Sequence, residues 1–252
     1  MRYDFCKFNA GSLAENKPAE LFFYGDIVSD SWYAWTEEDQ YPKNVQDLLK
    51  EIGDCNIDIH INSGGGDVFA GFAICNMLRG CLGHKRVYID GLAASIASVI
   101  AMAGDEIIIP ENAFMMIHKA WTYAMGNADE LRKLADTMDK IDSGIVATYM
   151  AHAKKGVTAQ RLTDLMEEET WLTAKEAAEL FENVTMQTAM PAVAGIKSEF
   201  FDRYAKMPEE YLKQTRNNIT GKPRAANVPE EMKKHTRYLE TMRAAYGTQK
   251  NN

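Results

Sequence analysis

The 252 residues carry a formal net charge of −8, with 46% hydrophobic and 25% charged residues. That balance excludes global disorder, and the length allows one large domain or one domain with an appendage, because single cores stop growing at roughly 250–300 residues. The negative total argues against a surface devoted to nucleic acid. No apolar h-region follows Met1, so no secretory leader is expected. The weakly polar run from Gly91 to Gly104 is shorter than the ~20 residues of a membrane span. Cys6, Cys55, Cys75 and Cys81 form no C-x-x-C pair and have no histidine at metal spacing, which predicts reduced structural thiols, no metal and a cytoplasmic protein.

The predicted elements alternate along the chain. Glu20 to Ile27 reads as a strand ending at Gly25-Asp26, Gln46 to Gly53 as a helix, and Asn56 to Asn62 as a half-buried strand with period two. A three-glycine turn leads to a helix over Val68 to Arg79, a strand over Arg86 to Asp90, and a small-residue helix over Ala94 to Ala103. Short strands follow at Glu106 to Ile109 and Phe114 to His118. From Ala128, apolar residues recur every three or four positions through Tyr149, the signature of one long amphipathic helix. Thr158 to Met166 is a short helix, and Thr173-Ala174-Lys175-Glu176 is a capping box opening another. Strand–helix alternation of this kind predicts an α/β fold with a mostly parallel sheet.

Residues 187–252 hold 12 basic and 7 acidic residues, a net of +5, against 16 and 29, a net of −13, in residues 1–186. The chain is therefore expected to comprise an N-terminal segment 1–19, a body 20–186 and a small basic helical extension 187–252. In the extension, Phe200-Phe201, Tyr204 and Tyr211-Leu212 suggest one amphipathic helix and Glu230 to Tyr246 another. The extension is either a solvated appendage or a segment that docks on an acidic partner, the body of its own assembly included.

In parallel sheets, chemistry gathers where strands lead into helices. Two such junctions stand out. Asn62-Ser63-Gly64-Gly65-Gly66-Asp67 can turn backbone N–H groups outward toward an anion. It lacks the Lys and Ser/Thr of a phosphate loop, so a transient oxyanion suits it better than a nucleotide. The second junction, Gly91 to Ser98, sets Ser95 between small residues at a strand-to-helix turn. Taken alone, Ser95 is better explained as a helix cap, and Ser98 as a packing residue that bonds locally. A nucleophilic serine also needs a base. Among five histidines, His118 ends a strand and belongs on the same sheet edge as Ser95 and the glycine loop. A carboxylate to orient the imidazole could come from the run Glu167-Glu168-Glu169, which is otherwise a solvated turn.

Ile61 to Gly66 (INSGGG), Gly91 to Ser98 (GLAASIAS), Met116-Ile117-His118 and Trp171 to Ala177 (WLTAKEA) occur in an order and spacing that resemble the Clp protease proteolytic subunit. FFYGDI, DVFAGFAICNML and WTYAMGNADELRKLADTMDKI fit its phage and prophage branch, which includes head maturation proteases. The similarity covers residues 20–185. It implies a ClpP/crotonase-like fold of repeated ββα units, with Ser95 as nucleophile, His118 as general base, and Gly66 and Ile96 as the oxyanion-hole donors. The family's triad acid falls on Glu169 where aspartate is usual, with Glu168 or Asp164 as alternatives. Gly64 also departs from the pattern, standing where proline is common, and so does Lys119-Ala120 after the histidine. The implied substrate is a protein or peptide bound as an added strand. The implied partners are further copies in a heptameric or stacked ring, joined through Ala128 to Lys154, and an ATP-dependent unfoldase or capsid proteins. No cofactor is implied, and the setting would be a bacterial host cytoplasm. A catalytically silent scaffold and a crotonase-type acyl-CoA enzyme are the rival readings.

Overall fold

The structure is a computed structural model that describes residues 18–34, 36–189, 198 and 201–208. Seven strands form one sheet in the order β1 (Ala19–Phe23), β2 (Ile57–Ser63), β3 (Lys85–Ala94), β4 (Glu106–Pro110) and β7 (Val184–Gln187), with β5 (Phe114–Ile117) and β6 (Thr170–Thr173) branching from β3. Every pairing is parallel except β5 with β6. The helices are α1 (Pro42–Ile52), α2 (Val68–Arg79), α3 (Ile96–Ala101), α4 (Ala128–Met150), α5 (Ala159–Glu167) and α6 (Ala174–Leu180). The expected α/β class with a mostly parallel sheet is what the chain adopts.

Side-chain alternation builds the core. Ile57, Ile59 and Ile61 of β2, Val87 and Ile89 of β3, and Ile107 and Ile109 of β4 are wholly buried on one face, as period-two strands require. Ala70, Ile74 and Leu78 of α2 cover them. All of α3 is buried, which explains its small residues. The capping box expected at Thr173 forms, with Glu176 completing it at α6, and the Thr158 side chain caps α5.

Three boundaries differ from the sequence reading, each for a stated reason. The first strand stops at Phe23, because Gly25 packs against Glu38 and Asp39 and leaves no room for a ladder, and Ile27 keeps only isolated bridges. α1 starts earlier, with Pro42 in its first turn, where the missing N–H costs nothing. β3 runs on through Gly91 to Ala94, because a second parallel partner takes over: Arg86–Tyr88 pair with β4, and Leu92–Ala94 with β5. The helix expected from Ala94 therefore begins at Ile96. β6 and β7 had no expectation. In the extension, Phe201–Arg203 form a single 3-10 turn. Cys6, His235 and the helix expected over Glu230 to Tyr246 lie outside the described residues. Cys55, Cys75 and Cys81 are free thiols.

A buried polar pair ties α4 to the turn after β3. Ser98 Oγ donates to the Ser95 carbonyl at 2.5 Å, so the Tyr149 hydroxyl, 2.7 Å away, donates to Ser98. Burial pushes the Tyr149 phenol well above its ordinary pKa and keeps it neutral. Ser98→Ala is expected to cost about 1–3 kcal/mol, because it strands a buried hydroxyl. Urea unfolding of the variant against wild type measures this.

Candidate active site

Sheet register assembles the site. Ala94 pairs with Met116, and the Ser95 N–H donates to the Met116 carbonyl at 2.9 Å, so the ends of β3 and β5 stand side by side. Ile117 pairs with Thr170, which sets Glu169 next to His118. Three residues distant in sequence are thereby held at one edge.

Ser95 is not a cap. Its side chain makes no capping bond to α3, and its backbone lies at φ 54°, ψ −127°. A serine gains nothing locally from a positive φ, and such strain costs of order 1–3 kcal/mol. Among the described residues only Ser95 and Glu169 (φ 50°) are non-glycines with positive φ. The strain at Ser95 comes with a contact, since His118 Nε2 lies 2.7 Å from Ser95 Oγ. With the serine donating, the imidazole carries its proton on Nδ1, the nitrogen a carboxylate would reach. That pairing is how a hydroxyl is made nucleophilic.

Burial lowers the His118 pKa below its ordinary value, against a smaller upward pull from the Glu169 charge. The neutral imidazole, the form that accepts a proton, therefore persists to lower pH. If His118 is the base, activity should be lost only as pH falls through a value below 6.5, and Glu169→Gln, by removing the upward pull, should move that acidic limb lower still. The profile of kcat/KM against pH reads both.

The glycine loop is stapled in place. Ser63 Oγ donates to the Gly25 carbonyl at 2.6 Å and accepts the Gly65 N–H at 3.1 Å. Ile27 N–H donates to the Gly65 carbonyl, and the Asp67 N–H to that of Ile27, at 2.8 and 2.7 Å. This bridge uses the residues flanking Gly66 and leaves the Gly66 N–H outside the ladder. Gly65, at φ 98°, lies against Ser95, since a Cβ on it would meet Ser95 Cβ at 2.8 Å. Ile96 opens α3, so its N–H has no intrahelical acceptor. A narrow pocket beside Ser95 and His118 is lined by Val68, Ile96, Val99, Ala120, Ile145 and Tyr149.

Of the candidate acids, Glu169 alone turns inward. Glu167, Glu168 and Asp164 are exposed, and Asp164 accepts a bond from Gln160. The Glu169 carboxylate accepts the N–H groups of Ala205 and Lys206 at 2.9 and 2.8 Å and the Trp171 indole N–H at 3.3 Å. It acts on His118 through its charge. The other described histidines are placed elsewhere. His60 is stacked between Phe22 and Tyr88 and bonded to Asp90, while His84 is exposed near Asp105. The sequence reading missed Tyr204. Its hydroxyl donates to the Gly64 carbonyl and lies against Ser95, and its ring stands edge-on to His118 at 5.4 Å. The aromatic cluster Phe200-Phe201, Tyr204 was the available signal, but nothing local says what it covers.

Among the described residues, no helix is long and apolar enough to cross a membrane. Residues 38–184, more than half of the chain, match the family profile described as Clp protease. The chain is 31% identical over 137 residues to the ATP-dependent Clp protease proteolytic subunit of Deinococcus radiodurans, covering 52% of this chain and 66% of that one. It is 30% identical over 154 residues to the subunit of that name from Porphyromonas gingivalis (57% and 67%), and 29% identical over 127 residues to that of Bacteroides fragilis (49% and 60%). The chain thus spans roughly 60–67% of the length of these relatives.

Proposed function

The chain belongs to the Clp protease family, and from that membership we propose that it is a serine endopeptidase that hydrolyses protein substrates through an acyl-enzyme. The observation that carries the reading is the 2.7 Å contact between His118 Nε2 and the Oγ of a serine held at positive φ. Ser95 Oγ attacks the peptide carbonyl carbon while His118 Nε2 takes its proton. The resulting oxyanion rests on the N–H groups of Gly66 and Ile96, and Glu169 stabilises the imidazolium by charge. Collapse breaks the C–N bond as His118 returns the proton to the leaving amine. Water, deprotonated by the same imidazole, then releases the acyl group. The substrate lies as an extended strand between the glycine loop and the stretch after His118. The phage or prophage branch, with a role in head maturation, is the setting that the sequence motifs favour, in a bacterial cytoplasm.

The chain works as a homo-oligomeric ring. Support comes from α4, whose first half is mostly exposed, including the apolar Leu131, and which becomes buried only from Ile145. Leu131→Asp should lower the mass of the assembly in solution, and an unchanged mass removes α4 from the contact. The names of the relatives include ATP dependence, so an unfoldase is the partner to test. Hydrolysis of unfolded casein, with and without an added Clp ATPase, tests the reading. Cleavage that Ser95→Ala abolishes supports it, and a folded assembly that cleaves nothing in either condition and takes no fluorophosphonate on Ser95 replaces it with a silent scaffold.

A further inference from the structure

The surface that would receive a peptide is already covered by the chain's own extension. Ser198 and residues 201–208 cross it from the glycine loop to the stretch after His118. Phe201, Tyr204 and Met207 pack on the apolar patch of Leu92, Ala94 and Met116, on the sheet face opposite the main core. The Tyr204 ring stands 5.9 Å from that of Trp171, and the Arg203 guanidinium lies 4.2 Å over the Trp121 ring. The Tyr204 hydroxyl donates to the Gly64 carbonyl and lies against Ser95, and its phenol, raised by burial, stays neutral. The Ala205 and Lys206 N–H groups hold the Glu169 carboxylate.

Resting on the peptidase reading above, we propose that Ser198 and residues 201–208 act as a built-in plug: Tyr204 occupies the attack face of Ser95, and the two following N–H groups draw Glu169 away from His118, so the enzyme is latent until the segment leaves. The group set against the nucleophile is a phenol and not a peptide carbonyl. A phenol offers no acyl carbon, so Tyr204 in this register blocks the serine and does not serve as its substrate. The body also makes room for it. A Cβ on Gly64 would meet Ser198 Oγ at 2.4 Å, Ser198 Cβ at 2.7 Å and Phe201 at 3.0 Å, so only glycine lets the segment lie this close. Gly64 is not at positive φ, so an alanine there strains the plug and spares the loop's backbone.

Two full-length variants test this from opposite sides, Tyr204→Ala from the segment and Gly64→Ala from the body. The readout is the rate at which a fluorophosphonate modifies Ser95. Both variants should be labelled about tenfold faster than wild type or more, because reactivity scales with the fraction of molecules whose site is open. Labelling in wild type that is unchanged or slowed in both variants overturns the plug and leaves the nucleophile standing. Wild-type autolysis within residues 198–208 also overturns it, by making the segment a substrate. Absence of labelling in all three chains, with unfolding midpoints retained, removes the nucleophile reading itself and the plug with it.

Discussion

Replacing Ser95 by alanine is expected to lower kcat for peptide hydrolysis by at least about 10⁴ while leaving the fold intact. The side chain caps no helix, and the turn is held by backbone groups, the Ser95 N–H on Met116 and the Ser95 carbonyl on Ser98. Loss of the hydroxyl therefore removes chemistry without removing support, and the urea midpoint should move little. His118→Ala should cost about as much, and the double variant no more than either single one, because nucleophile and base act as one unit. Additive losses would mean that the 2.7 Å contact is not the working pair. Turnover of an unfolded protein substrate, normalised to folded enzyme, measures all three.

Gly66→Ala carries the second large effect, and here stability and activity should fall together. A Cβ at this position would lie 1.9 Å from the Ile27 carbonyl oxygen, with φ at 148°. The obstacle is backbone, fixed by the bonds that staple Ile27 to Gly65 and Asp67, so it cannot swing aside as a side chain could. Overpacking and backbone strain together should cost about 2–5 kcal/mol. Any displacement of the loop also withdraws the Gly66 N–H from the developing oxyanion, which is worth about 10²–10³ in kcat. Gly53→Ala is a control for conformation alone, since its φ is 65° but nothing lies within 4 Å of a Cβ there. It should lose only about 1 kcal/mol and keep its kcat. A Gly66→Ala protein with wild-type turnover would separate the loop from the chemistry.

Parts of the molecule that depend on local pattern were legible from the residues. IDIHI alternates because β2 has one face in the core, and Val68 to Arg79 is helical over the expected span, with Asp67 capping it. Thr173 and Glu176 formed the box their spacing demands. What was not legible depends on pairing at a distance. β6 is four residues long and exists because Thr170–Thr173 find β5, yet that pairing places Glu169 beside His118. The extension of β3 to Ala94 follows from its second partner, since Gly91 and two alanines carry little strand preference of their own. Ser95 was the sharpest case. Its residue type argued for a helix cap, and the positive φ that makes it a nucleophile candidate contradicts local preference, as strained functional sites do. The aromatic residues of the extension were visible as a cluster, but charge suggested docking while apolar and ring contacts now hold Phe201, Tyr204 and Met207.

Peptide mapping by mass spectrometry after exposure to a fluorophosphonate tests the pairing of Ser95 with His118 most directly. A single adduct on Ser95 is predicted in the wild-type chain, with none in His118→Ala under the same exposure. An adduct on Ser63 or Ser98 instead, or a Ser95 adduct that forms equally fast without His118, would contradict it.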